Sequence, residues 1–217
     1  MFPIVFSLSE VLPVILYLCF LRRNKNEGLR VIFLYCLVSL VTEYLFLFLR
    51  HKVPKVYLFA SFTICEYTFF TLFLYLSLKA KKFRLISIIG SLIFYTIAAI
   101  NLTPRQSETF DSLSASVEAI LIIVYSILFL YEQITDPSVF YVYQTKKFWI
   151  VIAFFLYFSS TLFLFIYAAT LTNQEHKSYW YINDIFDIIK NILFCIAFVM
   201  KKGNKSPYPF ENLYPDT

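Results

Sequence analysis

Seven long apolar stretches occupy most of this chain and restrict it to one class of fold. Each stretch is roughly 20 residues long, enough for an α-helix rising 1.5 Å per residue to cross about 30 Å of hydrocarbon. The stretches are apolar throughout, without the alternation that marks the strands of a transmembrane β-barrel. The sequence therefore predicts an all-α transmembrane fold, a seven-helix bundle, with helices at residues 2–21, 29–49, 56–78, 84–102, 112–134, 148–171 and 179–200.

The composition agrees with a chain embedded in lipid. Hydrophobic residues make up 59% of the sequence and charged residues 15%, against about 45–50% and about 25% in soluble proteins. The apolar stretches leave no room for a soluble catalytic domain, so a binding or transport role is favoured over an enzyme. We predict a single membrane domain over residues 1–200 and a short cytoplasmic tail over residues 201–217.

The distribution of Lys and Arg predicts the orientation. Most of the 19 basic residues follow the odd-numbered stretches, at residues 22–30, 79–84, 146–147 and 201–205. Segments rich in Lys and Arg stay in the cytoplasm. The N-terminus is therefore expected outside and the C-terminus inside, in a cell membrane that we take to be a bacterial inner membrane. The same bias explains the net charge of +5, so the bilayer is the expected partner and no nucleic acid is invoked.

Acidic residues recur inside five of the seven stretches, at about one level. A charge in hydrocarbon costs about 2.5–3.5 kcal/mol on insertion scales and marks a functional site by default. At 1.5 Å per residue, these acids lie roughly 10–16 Å below the outer surface. The acids are Glu10, Glu43, Glu66, Glu118, Asp184 and Asp187, and the basic residue that joins them within the stretches is Lys190.

The seventh stretch carries a polar stripe. At 100° per residue, Asn183, Asp187 and Lys190 share one face, with Asp184 and Asn191 at its edge. Asp187 and Lys190 are three positions apart and are predicted to form an ion pair. The candidate ligand-binding residues are therefore Glu43, Glu66, Asp187, Lys190, Glu10, Glu118, Asp184, Asn183 and Asn191.

Two further expectations concern the surroundings of these residues. Glu10 and Glu118 are nearest the outer surface and are expected to be solvated. Tyrosine side chains near the acids are expected to contribute hydroxyl groups or ring faces that attract a cation. They are Tyr17, Tyr44, Tyr67 and Tyr125.

An excess of acid over lysine favours a water-accessible pocket, open to the outside, for a small cation, an amine-bearing solute or a proton. A polar network that merely holds the helices in register is the structural alternative. No cofactor is predicted.

Another function that the pattern allows is an accessory or sensor subunit whose basic inner face contacts a cytoplasmic protein. Scarce glycine favours it, because Gly90 alone of the three glycines lies within a stretch and interrupted helices are typical of transporters.

An intramembrane metal-dependent hydrolase is a third alternative. Carboxylates alone suit Mg²⁺, Ca²⁺ or Mn²⁺. His51 and His176 fall in predicted outer loops, away from the acidic level where a zinc hydrolase would need them.

Two pairs of matching segments predict an internal repeat. Glu10–Tyr17 and Glu118–Tyr125 both read Glu-x6-Tyr, and the sequence Leu-Phe-Leu-Phe occurs at residues 45–48 and 162–165. Stretches one to three and five to seven would then form a 3+1+3 parallel repeat, with stretch four as the linker. This arrangement is similar to small-solute facilitators of the vitamin-precursor and sugar types, although their transmembrane Pro-Gln pair is missing here.

Two more resemblances follow from the topology. A seventh-helix lysine, Lys190, in a bundle with its N-terminus outside resembles a microbial rhodopsin, in which that lysine holds retinal. The rhodopsin family has Asp four residues before the lysine, whereas this chain has Phe186. As a whole, the sequence is similar to small uncharacterised seven-helix membrane proteins of bacteria, a likeness that implies no particular activity.

Overall fold

The chain folds into helices alone wherever its structure is described. The computed structural model describes residues 2–49, 55–101, 112–136, 142–167 and 173–201. In these ranges the α-helices are α1 Phe2–Cys19, α2 Glu27–Leu49, α3 Lys55–Ser77, α4 Lys81–Asn101, α5 Ser112–Thr135, α6 Lys146–Tyr167 and α7 Asn173–Val199. Each helix covers one of the seven apolar stretches, with ends that differ by a few residues. Apart from Lys201, the predicted tail at 201–217 lies outside the described residues.

Five of the helices are long and apolar enough to cross a membrane, and they lie in α2 to α6. These helices indicate a membrane protein. Helix α1 is also apolar over most of its length, and it has 18 residues, Phe2–Cys19. Helix α7 carries Asp184, Asp187 and Lys190 in its apolar part, and these charges lower its hydropathy. Passage of α1 and α7 across the membrane, the orientation and the 3+1+3 repeat stay predictions.

The packing order of the helices brings the two ends of the chain together. Helix α1 packs against both α2 and α7, α2 packs on α3, and α3 packs on α5. Helix α6 then joins α5 to α7, and α4 packs on α3 and α5. This order places α1, α2, α3 and α7, which carry most of the predicted site residues, next to one another.

Aromatic side chains fill the core between α3, α6 and α7. The Phe70 ring stacks on Phe154, with ring centroids 4.1 Å apart. Phe154 in turn meets the edges of Phe73 and Phe194, at 5.7 Å and 5.8 Å. Helices in lipid associate through close packing rather than through a hydrophobic driving force, and each such aromatic pair contributes about 0.5–1.5 kcal/mol beyond buried area.

Helix α4 docks through a glycine. A Cβ atom added to Gly90 would lie only 1.9 Å from the Tyr125 hydroxyl oxygen, so no larger residue fits while that ring keeps its place. Around this contact, the Tyr67 hydroxyl donates to Ser91 Oγ at 3.0 Å, and the Tyr125 hydroxyl donates to the Ser87 carbonyl at 3.3 Å. A small residue at a helix interface lets the two backbones approach closely.

Polar contacts also close the end of the bundle that the basic residues mark, here called the basic end. The Glu132 carboxylate accepts hydrogen bonds from the backbone N–H groups of Lys79 and Ala80, at 2.8 Å and 2.5 Å. These residues directly precede α4, so Glu132 caps the start of that helix. The Lys146 ammonium donates to Asn24 Oδ1 at 2.6 Å, joining the start of α6 to the turn after α1.

Candidate functional site

Helix α7 turns three polar side chains into the bundle. Asp187, Lys190 and Asn191 are all buried, and their spacing of three and four residues places them on one helical face. The Lys190 ammonium lies 2.5 Å from Asp187 Oδ1, which is the ion pair that the spacing predicts. Burial of both charges is tolerable because they are paired.

Lys190 is the centre of the site. Its side chain is only 2% exposed. Its Nζ atom donates to the Tyr35 hydroxyl at 2.7 Å and lies 3.5 Å from Glu66 Oε1. The Tyr35 hydroxyl in turn donates a hydrogen bond of 2.6 Å to Glu66 Oε1. Lys190 therefore pairs with two carboxylates. It contacts Asp187 directly, and it is linked to Glu66 both by a longer direct contact and through the Tyr35 hydroxyl.

Three aromatic rings complete the surroundings of the ammonium. The Nζ atom lies 4.3 Å from the centre of the Tyr157 ring, 5.2 Å from that of Tyr35 and 5.9 Å from that of Phe70. Ring faces attract a cation within about 6 Å. We call the five residues around the Lys190 ammonium the ammonium cage: Tyr35, Glu66, Phe70, Tyr157 and Asp187.

A second group of acids lies beside the cage, on α1 and α2. Glu10 lies close enough to Glu43, Asp187 and Lys190 to interact with each of them electrostatically. Serine hydroxyls support the pair: Ser39 donates to Glu10 at 3.5 Å and Ser7 donates to Glu43 at 3.3 Å.

The negative charge of this Glu10–Glu43 pair is less well neutralised than that of the acids of the cage. Within the described ranges, no Lys or Arg forms a salt bridge with either carboxyl group. The Glu10 Oε2 atom is buried and accepts no hydrogen bond from a donor side chain. The pair is therefore a place for a further positive charge.

Asn191 connects the two groups of acids. Its amide nitrogen donates to Asp187 Oδ2 at 3.0 Å and lies 3.4 Å from Ser9 Oγ on α1. The structure thus brings six of the predicted residues into one cluster between α1, α2, α3 and α7. They are Glu10, Glu43, Glu66, Asp187, Lys190 and Asn191.

The other three predicted residues lie around Tyr157 on α6. The Tyr157 hydroxyl donates to Asn183 Oδ1 at 3.1 Å. Glu118 on α5 and Asp184 on α7 are close enough to Tyr157 to interact with it electrostatically. Glu118, Asn183 and Asp184 therefore lie around Tyr157, one wall of the ammonium cage.

The expectation that Glu10 and Glu118 are solvated is wrong. Glu10 is 8% exposed and Glu118 only 2%. Depth counted from a helix end measures distance along the helix and ignores the direction of the side chain. Both side chains point toward neighbouring helices, so the bundle covers them.

The tyrosines expected at the site are also the wrong ones. The Tyr17 hydroxyl donates to the Asn24 carbonyl at the basic end, 3.1 Å away. Tyr44 is 57% exposed, and Tyr67 and Tyr125 bond to residues of α4. All four tyrosines therefore serve other parts of the bundle or its surface.

The site uses Tyr35 and Tyr157 instead. The sequence carries a signal for the first of them: Tyr35, Ser39 and Glu43 are spaced by four residues and follow one stripe of α2. The sequence signal for Tyr157 is weaker: the polar residue Thr161 lies one turn later on α6. In the structure both residues are buried. The Thr161 hydroxyl bonds back to the Tyr157 carbonyl at 2.8 Å, as expected of a hydroxyl that serves its own helix.

The described residues hold no group of three or more His, Cys, Asp or Glu side chains arranged for a metal ion. His51 lies outside the described residues, and His176 belongs to the beginning of α7 rather than to a loop as predicted. The metal-dependent hydrolase thus gains no support from the described part of the site.

Comparison of this chain with protein-family models, with curated proteins and with solved structures gives no match. The resemblances to rhodopsins, to solute facilitators and to small seven-helix proteins therefore have no support beyond the residues that suggested them. The chemistry of the acidic cluster is the remaining guide to function.

Proposed function

We propose that this chain is a multi-pass membrane protein that binds a small cation or a cationic solute in an acidic pocket open to the outside, and translocates or senses it. The observation that carries the proposal is the Glu10–Glu43 pair. The buried carboxyl group of Glu10 on α1 and the half-buried one of Glu43 on α2 interact there, and neither has a salt bridge in the described ranges. Such pairs are costly in an apolar bundle, and a bound cation would offset that cost.

The charges of the cluster leave room for one more cation. Lys190 neutralises one of the two cage carboxylates, Glu66 and Asp187, when both are ionised. Glu10 and Glu43 add two more acids. A cation at this pair would be held by carboxylate oxygens and supported by the hydroxyls of Ser7 and Ser39. Lys190 would act as the internal counter-ion of the remaining acids.

Binding to purified protein tests this proposal. We expect titration calorimetry to detect at least one cation from a panel of Na⁺, K⁺ and small ammonium ions. Glu10→Gln and Glu43→Gln should each remove that binding, because an amide keeps the shape of the side chain but not its charge. Glu27→Gln is the matched control, since Glu27 is exposed on α2 and lies outside the cluster.

The proposal fails if the wild-type protein binds no member of the panel. It also fails if both glutamine variants, shown to be folded by circular dichroism, bind the cation as tightly as the wild-type protein does.

A second candidate is a membrane-embedded accessory or sensor subunit that contacts a cytoplasmic protein. The exposed side chains of Lys79, Lys81 and Lys82 at the basic end favour it. Charge reversal at Lys81 and Lys82 should then abolish co-purification with a soluble protein, without any effect on cation binding. Retention of the same partner by the variant would remove this candidate.

A further inference from the structure

We infer that the ammonium cage is a binding site for protonated primary amines, and that Lys190 is its tethered occupant, with which an amine solute competes. This inference rests on the proposed function, because it names the class of cation that the acidic cluster recognises.

The oxygen atoms around Lys190 are equal in number to the N–H groups of a primary ammonium group. Such a group has three N–H donors and no acceptor. Three oxygen atoms lie within 3.5 Å of Nζ, one each from Asp187, Tyr35 and Glu66. The Tyr35 hydroxyl accepts a hydrogen bond from the ammonium group, and the two carboxylates form ion pairs with it. A quaternary ammonium has no N–H to donate, so it could not use these oxygens.

The rings distinguish an ammonium group from a metal ion. Magnesium and calcium take six or more oxygen ligands, whereas the cage also places the rings of Tyr157 and Phe70 near the ammonium, 4.3 Å and 5.9 Å from Nζ. Ring faces with carboxylates are a recurrent environment for ammonium groups. The walls around Lys190 thus already have the composition of an amine site.

A second observation points to an additional cation beside the cage. Glu10 Oε2 is buried without a hydrogen-bond donor, and the Glu10 carboxyl lies close enough to Lys190 to interact with it. If an amine enters the cage, the Lys190 ammonium has another acidic partner in the Glu10–Glu43 pair. Four carboxyl groups would then hold two ammonium groups, one from the solute and one from Lys190.

Removal of the lysine side chain tests the inference. Lys190→Ala removes the atoms from Cγ to Nζ, and n-propylammonium supplies the same atoms in a free molecule. Lys190→Met is the matched control, because its side chain fills the same space without an ammonium group. We expect calorimetry to show that Lys190→Ala binds n-propylammonium at least about tenfold more tightly than the wild-type protein, which retains its competitor.

Thermal unfolding gives an independent measurement. n-Propylammonium should raise the melting temperature of Lys190→Ala more than that of the wild-type protein or of Lys190→Met. Sodium and tetramethylammonium, at the same ionic strength, should not. Should Lys190→Ala fail to fold alone, expression and purification with n-propylammonium should recover folded protein, whereas sodium chloride should not.

Three outcomes overturn the inference. They are equal responses of Lys190→Ala to sodium and n-propylammonium, equal responses of Lys190→Ala and Lys190→Met, and no recovery of an unfolded Lys190→Ala by the amine. Cation binding that depends on Glu43 in the wild-type protein, without any amine response of Lys190→Ala, would leave the proposed function intact and refute the amine cage alone.

Discussion

A lysine ammonium inside an apolar bundle must replace the hydration that it loses. Protein groups take the place of this water around Lys190. Two carboxylates and one hydroxyl lie within 3.5 Å of its Nζ atom, and three aromatic rings lie farther out. Tyr35 has a central place in this arrangement, because its hydroxyl accepts from Lys190 and donates to Glu66 at the same time. One oxygen atom therefore connects the Lys190 ammonium on α7 with the Glu66 carboxylate on α3.

We expect Tyr35→Phe to destabilise the protein by about 1–2 kcal/mol. Hydrogen bonds to charged groups contribute about 1.5–3 kcal/mol in soluble proteins and interhelical bonds in membranes less. The free energy of unfolding in detergent measures the effect. Tyr44→Phe is the matched control, because that hydroxyl belongs to a side chain on the bundle surface. An equal loss of stability in the two variants would contradict the bridging role of Tyr35.

The acids and tyrosines of the cluster differ in how far the sequence reveals them. A charge within an apolar stretch stands out because burial without a partner is so costly, and five of the predicted charged residues, Lys190 among them, lie in one cluster. Tyrosine is common here, with 17 in the chain, and it suits surface and core alike. Only the direction of each ring decides its role, as the contrast between Tyr35 and Tyr67 shows.

Helix α4 attaches to its neighbours through small residues. Its contact with α5 depends on Gly90, which lies over the Tyr125 hydroxyl, and on the hydrogen bond from Tyr125 to the Ser87 carbonyl. Ser91 joins it to Tyr67 on α3. The other glycine of a described helix, Gly28, has different surroundings. An added Cβ would lie 3.4 Å from the Phe73 ring, an ordinary contact.

The two glycines should therefore respond in opposite directions to alanine. Gly90→Ala should destabilise the protein by about 1–3 kcal/mol, the usual cost of overpacking. Gly28→Ala should be neutral or stabilise by up to about 1 kcal/mol, since alanine is the better helix former. Thermal unfolding compares them. Tyr125→Phe should reduce the cost of Gly90→Ala, and an unchanged cost in the double variant would show that the hydroxyl contact is not its cause.

Helix positions could be predicted from the sequence, because lipid requires long apolar segments. The contacts between elements could not. In lipid, the outer face of a helix is as apolar as its packed face, so no apolar stripe reveals which helices meet. The cap that Glu132 provides for α4 illustrates this limit. Its partner, the turn before α4, lies more than fifty positions away, and nothing in the local sequence connects the two.

At the scale of the whole molecule, the contacts of α1 and α7 decide whether the cluster is a membrane site. Both helices line it, and neither is among the five that are long and apolar enough to cross a membrane by composition alone. The charges of α7 lower its hydropathy, yet Asp187 and Lys190 are buried against other helices and form an ion pair. Lipid would meet the outer faces of the two helices, where exposed apolar residues such as Leu12 and Ile185 lie. We therefore keep the prediction that both cross.

Labelling from outside the cell tests that prediction. In a background with the four native cysteines replaced by serine, single cysteines are introduced at Lys25, Ser178 and Lys201. If α1 and α7 both cross with the N-terminus outside, a membrane-impermeant maleimide should label the cysteine at position 178. It should reach positions 25 and 201 only after permeabilisation, because basic segments stay in the cytoplasm. Labelling of positions 178 and 201 from the same side would show that α7 does not cross. The acidic cluster could then not be a pocket within the membrane that opens to the outside.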